Sequence, residues 1–193
     1  MNVNECYQYL LFLMRKNQIG GLTPSEFGIA FNSSQRDFFN TLLGKITIAP
    51  HIALGNNARI AERLRPFKFT ENRIVSSQVA TYPPGFQAIT LMTDPIGRAV
   101  QYIDDAKLQG RLNSVIDPIA EANPPVFTNT SNGWKVWPET IANVNVSYYK
   151  LPPDVRWNYT TGVNNRPVYA PLTSVDPVWD NVSTEEILAK SCT

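Results

Sequence analysis

Few residues capable of acid–base, nucleophilic or metal chemistry occur together in this sequence of 193 residues. His51 is the only histidine, so a zinc site would lack a second imidazole, and a lone histidine in an apolar loop is usually a packing residue. Cys6 and Cys192 lie at opposite ends of the chain, without metal-ligand spacing, and favour a reducing compartment. No Walker loop, nucleophile elbow or dinucleotide fingerprint occurs. We therefore expect no catalytic residue, no metal and no cofactor.

Two pairs of adjacent carboxylates, Asp104-Asp105 and Glu185-Glu186, are the remaining candidates for acid–base catalysis. Each pair lies where a helix is predicted to begin, and the helix dipole favours acidic side chains at that end. The pairs therefore indicate helix starts, and the sequence predicts a protein that is not an enzyme.

The chain carries little charge for its length. Charged residues make up 17% of it, below the roughly 25% of an average soluble protein, which is typical of a surface partly covered by partners. The net charge of +1 does not favour nucleic acid or a membrane as the main partner. The apolar run near the N-terminus is too short for a membrane span and lacks the basic start of a signal peptide.

Five basic residues against two acidic ones cluster between residues 59 and 73. Arg59 and Arg63 are four residues apart, so they share one face of a predicted helix. Three interpretations remain open: a solvated helix face, a contact with DNA phosphates, or salt bridges to an acidic neighbour. The acidic candidate is the C-terminal segment that contains Asp176 and Asp180.

All four tryptophans and nine of the fifteen prolines fall in the second half of the chain. Exposed tryptophans beside Asp, Asn and Gln would suit a sugar-binding platform. The favoured alternative is that Trp134 and Trp137 flank a hairpin core, while Trp157 and Trp179 anchor an extended segment.

The N-terminal part has the signals of a helical hairpin. Apolar residues recur at three- and four-residue steps, and Asn2 with Glu5 has the spacing of a capping pair. Thr23 with Glu26 forms a second capping box, and the helix that begins there is predicted to end at Gly44.

Two more helices and a small sheet are predicted after an ordered loop at residues 45–55. The third helix begins near Asn56, and the fourth is capped by Asp104 or Asp105. The predicted strands are RIVSSQVATY paired with FQAITLMT across Pro83-Pro84-Gly85, then Ala99–Ile103, a hairpin around Ser131-Asn132-Gly133, and the alternating stretch Val144–Tyr149. We therefore predict an α+β fold, in which a bundle of three or four helices carries a small antiparallel β-sheet.

The segment from Trp157 onward has no hydrophobic period and is predicted to be an extended C-terminal arm, with a last helical turn capped by Thr184. Such a segment buries its own apolar groups poorly and gains order by lying on a neighbour. We divide the chain into a core domain, residues 1–156, and the C-terminal arm, residues 157–193. Four aromatic side chains are predicted as anchors in pockets of adjacent subunits: Trp157, Tyr159, Tyr169 and Trp179.

Four phrases, taken in order, resemble a group of small virion proteins of tailed bacteriophages, especially the crAss-like phages of gut bacteria. They are YQYLLFLMRKNQIGGLTPSEF, AERLRPF, RLNSVIDPIAEANPPVF and VWPETIANVNVSYYKLPPDVRWNY. The likeness extends to about Asp180 and rests on the order and the residue sequences of these segments.

The resemblance implies a structural virion protein, a subunit of an oligomeric ring in the head–tail connector that links the portal to the tail. It implies a homo-oligomer of twelve copies closed head to tail, contacts with the portal protein and other connector or tail proteins, incidental contact with genomic DNA in the channel, and no membrane. The expected location is the virion, assembled in the bacterial host cytoplasm. Another virion component (tail hub, collar or capsid-associated protein) and a carbohydrate-binding module are the alternatives.

Overall fold

The computed structural model describes residues 1–16, 22–48, 54–114, 123–163 and 166–192. Within them the chain forms five α-helices and nine β-strands. The helices are α1 (Val3–Lys16), α2 (Pro24–Ile48), α3 (Leu54–Leu64), α4 (Asp105–Leu112) and α5 (Asn181–Lys190). The strands are β1 (Lys68–Ser76), β2 (Val79–Thr81), β3 (Phe86–Thr93), β4 (Gln101–Tyr102), β5 (Val126–Asn129), β6 (Gly133–Trp137), β7 (Asn143–Lys150), β8 (Tyr159–Thr161) and β9 (Pro167–Tyr169).

The chain divides into two compact units. Unit 1 combines Met1–Pro66 with Leu151–Thr193, so both ends of the chain contribute to it, and unit 2 is the continuous segment Phe67–Lys150. The core domain and C-terminal arm proposed from the sequence meet at residue 157, which lies inside unit 1.

Unit 2 is dominated by a seven-stranded sheet, counted over the described residues, in the order β3-β7-β1-β2-β6-β5-β4. Neighbouring strands are antiparallel except for the parallel pair β4 and β5. The sheet is nearly closed, because Thr93 at the end of β3 bridges Ala99, and the N–H of Val100 donates to Met92 O at 2.8 Å. The predicted helical bundle with a small sheet is therefore wrong.

The core of unit 2 follows from alternation along β7. Val144, Val146 and Tyr148 are buried, while Asn145 between them is exposed, as a half-buried strand requires. They pack in one cluster with Trp134 and other apolar residues of the sheet. The predicted strand around Val144–Tyr149 is confirmed, and so is the hairpin of β5 and β6.

The predicted pairing of RIVSSQVATY with FQAITLMT is wrong. The chain turns within the first of these stretches, because Ser77 and Gln78 adopt left-handed φ angles of 49° and 66°. β1 therefore pairs with β2, and β3 pairs with β7. Turns of this kind usually carry Asn-Gly or a similar pair, so Ser77-Gln78 leaves little signal in the sequence.

Both predicted capping boxes of unit 1 are present. The N–H of Asn2 donates to Glu5 Oε2, and the N–H of Glu5 donates to Asn2 Oδ1, each at 2.8 Å. Thr23 and Glu26 make the same exchange at the start of α2. These contacts satisfy N–H groups that lack partners within a helix.

Two predicted helix boundaries in unit 1 are corrected. α2 continues past Gly44 to Ile48, and a glycine inside a helix costs only about 1 kcal/mol. α5 is capped by Asp180, whose Oδ1 accepts from the N–H of Ser183 at 2.9 Å, and Thr184 is buried in its first turn. Residues 49–53 of the predicted loop, with His51, lie outside the described residues.

In unit 2, Asp104 caps α4 as predicted, because its side chain accepts from the N–H of Lys107. Leu108 of the predicted helix face is buried, whereas Leu112 is exposed. Val115 and Ile116, the rest of that face, lie outside the described residues.

Candidate subunit interface

The proline-rich stretch after Leu151 is fastened to α2 by two side-chain amides. Asn32 Nδ2 donates to Val155 O at 3.0 Å, while Asn32 Oδ1 accepts from the N–H of Val155 at 2.8 Å. Gln35 Nε2 donates to Pro153 O at 3.1 Å, and Gln35 Oε1 accepts from the indole N–H of Trp179 at 3.3 Å. The helix amides thus supply hydrogen bonds that a neighbouring strand would otherwise make.

An aromatic stack holds the start of the C-terminal arm. The ring of Trp157 stacks on Tyr7 of α1 with 4.6 Å between centroids, and Tyr159 and Tyr169 stack against Trp157 at 5.8 Å and 5.7 Å. The Trp157 indole N–H donates to Asn4 Oδ1 at 3.1 Å. Trp157 is therefore buried against its own chain.

Trp179 is likewise buried, with its ring edge-on to Phe38 and Phe39 of α2 at 5.3 Å and 6.5 Å. The structure thus places Trp157 and Trp179 in the interior of unit 1, not in the pockets of adjacent subunits that the sequence predicted for them. Of the four predicted anchors, Tyr159 is exposed and Tyr169 is half-buried.

The hairpin segment, residues 159–163 and 166–173, contains the short sheet of β8 and β9 and a 3₁₀ turn at Pro171–Thr173. Ser174 Oγ donates to Ala170 O at 2.8 Å, and Asn158 Nδ2 donates to Thr173 O at 2.5 Å. These bonds hold the 3₁₀ turn in place at the base of the segment.

The hairpin segment exposes apolar side chains and carries almost no charge. Leu172 on the 3₁₀ turn is 99% exposed and Val163 is 86% exposed, and Tyr159 and Val168 are also exposed. Arg166 is the only charged residue in the segment. Exposed apolar side chains concentrated on one segment are typical of a contact surface.

A groove of about 880 Å³ lies in unit 1 between α2 and residues 154–159, and we call it the α2 groove. Ile29, which is 71% exposed, and Val155 contribute apolar wall. An ion pair of 2.7 Å between Arg36 and Asp154 lies at its lining. Asp37 lines the same groove and has no ion-pair partner among the described residues.

The predicted attraction between the basic helix and the acidic C-terminal segment occurs within one chain. Arg63 of α3 donates two hydrogen bonds to the carboxylate of Glu186 on α5, at 2.9 Å and 3.1 Å. These bonds raise the pKa of Arg63 above its usual value, so the guanidinium stays charged. Arg59, one turn earlier, is exposed.

The two predicted acidic residues of the interface also have partners in their own chain. Asp176 Oδ1 accepts from the N–H of Val3 at 2.7 Å. Burial raises the pKa of Asp180, but hydrogen bonds from Ser183 and the nearby charge of Arg63 outweigh it and leave that pKa below its usual value. Both carboxylates therefore stabilise unit 1 directly.

The structure assembles no group of three or more His, Cys, Asp or Glu side chains suited to a metal ion within the described residues. Burial raises the pKa of the Cys6 thiol to about 12, so this thiol is neutral near pH 7 and a poor nucleophile. None of the helices in the described parts of the chain is long and apolar enough to span a membrane.

The four indoles present no stacking face for a sugar. Each is at most 7% exposed, and Lys135 Nζ lies 5.1 Å from the centroid of the Trp137 ring. Trp134 and Trp137 both lie on β6 and are buried in two separate clusters of unit 2, so they do not flank a single hairpin core as the sequence predicted.

The sequence interpretation missed Asn32 and Gln35, because a search for apolar periodicity passes over polar residues. Gln35 lies four residues after Phe31 and three before Phe38, so it falls on the buried stripe of α2. An amide on an otherwise apolar helix face is the signal that would have identified it.

No protein-family model matches this sequence, and no curated protein matches it.

Proposed function

We propose that the protein is a structural subunit of a homo-oligomeric ring in the head–tail connector of a tailed phage, linking the portal to the tail without catalysis. The observation that carries the proposal is the hairpin segment, whose Leu172 side chain is 99% exposed on a hydrogen-bonded turn. Contact with a partner would remove this leucine side chain from water, which is favourable in free energy.

The size of that gain supports assembly. Burying a leucine or valine side chain contributes about 1.5–3 kcal/mol, and Leu172 and Val163 are both available. Ordering of a flexible segment would reduce this gain, but the turn that carries Leu172 is already held by Asn158 and Ser174. A closed ring repeats the contact at every junction, which increases the total stability.

Two further observations support this function. The sequence resembles small virion proteins of tailed phages up to about Asp180, and that resemblance implies a ring around a channel. The buried indoles also remove the main basis for the alternative of a carbohydrate-binding module.

The test is the native mass of the full chain, combined with electron microscopy of the purified oligomer. We expect closed rings, which Leu172→Glu disrupts because it puts a charge into an apolar contact. Leu112→Glu is the matched control, since Leu112 is an exposed leucine of unit 2 and its replacement should leave rings intact. A two-fold dimer, or a chain that stays monomeric even with the portal protein of the same genome, would contradict the proposal.

A further inference from the structure

We infer that adjacent copies of this chain meet head to tail, with the hairpin segment of one copy in the α2 groove of the next and Arg166 against Asp37. The inference rests on the proposed ring and identifies the contact that would build it.

Charge provides the first argument. Arg166 is exposed and is the only charged residue of the hairpin segment. Asp37 is exposed in the α2 groove, and neither residue has an ion-pair partner within the described parts of the chain. The second carboxylate of the groove, Asp154, is already paired with Arg36, so Asp37 is the carboxylate left for an incoming cation. Arg156, the groove's other cation, is exposed and would favour the same orientation by repelling Arg166.

Apolar complementarity provides the second argument. The hairpin segment offers Val163 and Val168, and the α2 groove offers Ile29, all of them exposed in the single chain. The α2 groove is open to solvent and has a volume of about 880 Å³, so it has room for side chains of a neighbouring copy. Joining the two surfaces covers apolar groups on both sides.

Symmetry provides the third argument. The hairpin segment and the α2 groove are different surfaces of one unit, adjoining at Tyr159, which begins β8 and lines the groove. A contact between these two surfaces is head to tail when each copy uses them on different neighbours, and it forms a ring when the rotation between copies closes. Each copy would present its hairpin segment to one neighbour and its α2 groove to the other.

Two charge reversals test the contact. Asp37→Arg places two cations at every junction, and Arg166→Asp places two anions there. Either variant alone should raise the concentration needed for assembly by roughly tenfold, because an attraction becomes a repulsion. Mixing the two variants in equal amounts allows every junction to pair Arg with Asp again, so we expect assembly to recover.

The matched control uses the variant Glu62→Arg in place of Asp37→Arg. It makes the same charge reversal on an exposed residue of α3. Glu62→Arg should assemble normally alone, and in a mixture it should leave Arg166→Asp largely outside its rings. Circular dichroism of each variant confirms that the fold is retained.

A second measurement tests proximity directly. We expect a short bis-maleimide to join Ile29→Cys on one copy to Val163→Cys on another, in a Cys192→Ser background, and only when both variants are mixed. If the unaltered chain forms rings but neither the reversals nor the cross-link behaves in this way, the contact is wrong and the ring proposal stands. If the unaltered chain never assembles, the ring proposal itself fails.

Discussion

Gln35 is the residue on which several parts of unit 1 converge. Its amide contacts Pro153 O, the indole of Trp179 and Asn32 Oδ1, so one side chain joins α2 to two separate stretches of the C-terminal part. The side chain is buried, and its hydrogen bonds therefore lie away from water, where an unsatisfied partner is costly.

We expect Gln35→Ala to lower the free energy of unfolding by about 2 kcal/mol or more, because the indole N–H of Trp179 and Pro153 O would both lose a partner. Urea unfolding measures the change. Gln109→Ala, on an exposed face of α4, is the control and should change stability by less than about 0.5 kcal/mol. Equal effects of the two substitutions would show that the Gln35 contacts contribute little.

Asp94 makes the stability of unit 2 depend on pH. Burial of its carboxylate raises the pKa, but hydrogen bonds from the side chain and N–H of Arg98 and the N–H of Ile96 outweigh it and hold the pKa below its usual value. A carboxyl whose pKa is lower in the folded state contributes stability above its unfolded pKa of about 3.9. That contribution is lost as pH falls through the folded pKa.

Asp94→Asn should therefore lower the free energy of unfolding by about 1–3 kcal/mol at pH 7. The gap between the variant and the unaltered protein should narrow as pH falls below about 4, where the carboxylate becomes protonated. Urea titrations at several pH values measure both effects. A gap of constant size down to pH 3 would mean that the ionised form of Asp94 has no special role.

At the scale of elements, the close approach of β2 and β6 depends on a glycine. A Cβ atom at Gly133 would lie 2.1 Å from Ala80 O, a backbone atom that cannot move away without distorting the sheet. Gly110 of α4 offers a contrast, because a Cβ there would have no neighbour within 4 Å.

We predict that Gly133→Ala destabilises the protein by at least about 2 kcal/mol, since backbone must shift to admit the methyl group. Gly110→Ala should instead stabilise it by up to about 1 kcal/mol through better helix propensity. Thermal unfolding of both variants distinguishes the cases. A neutral Gly133→Ala would show that β2 and β6 can separate at low cost.

Local signals in the sequence predicted elements well and their pairing poorly. The capping boxes at Asn2 and Thr23 involve residues three apart, so the chain nearby contains all the information needed. The pairing of β3 with β7 joins residues more than fifty positions apart, and no short pattern specifies it. β1 also begins with the mostly polar stretch Lys68–Asn72, which has no clear strand pattern. The predicted strand therefore began only at Arg73, and the predicted sheet was smaller than the observed one.

The four aromatic residues predicted as anchors differ in their exposure. The C-terminal arm was expected to supply exposed aromatic anchors, and Tyr159 is exposed there. Trp157 and Trp179 are buried instead. The prediction failed there because the prolines and polar residues around them were interpreted as signs of a free arm. The side-chain amides of Asn32 and Gln35 donate hydrogen bonds to the backbone of the C-terminal part. These two residues lie on a helix more than a hundred residues away in the sequence.

At the scale of the whole molecule, the two units differ in the number of chain segments that form them. Unit 2 is one segment with its own core, which includes Trp134 and Tyr148. Unit 1 needs both ends of the chain, because α2 packs against Trp179 and binds Val155.

Residues 67–150 produced alone should therefore fold cooperatively, with Trp134 fluorescing as a buried indole. Residues 1–66 alone should not reach the native state until residues 151–193 are added. Circular dichroism and tryptophan fluorescence of the separate pieces measure this. An unfolded 67–150 fragment would mean that unit 2 depends on the rest of the chain.

The register of β1 and β7 has a consequence for how such a chain can change. Lys68 pairs with Tyr149, so the polypeptide enters and leaves unit 2 through neighbouring positions, about 5 Å apart. Because its two ends are adjacent, unit 2 can be replaced by a segment of different size, or by a short linker, without moving the flanking residues Pro66 and Leu151 apart. Such a replacement of unit 2 would leave every residue of the hairpin segment and the α2 groove unchanged, because both belong to unit 1.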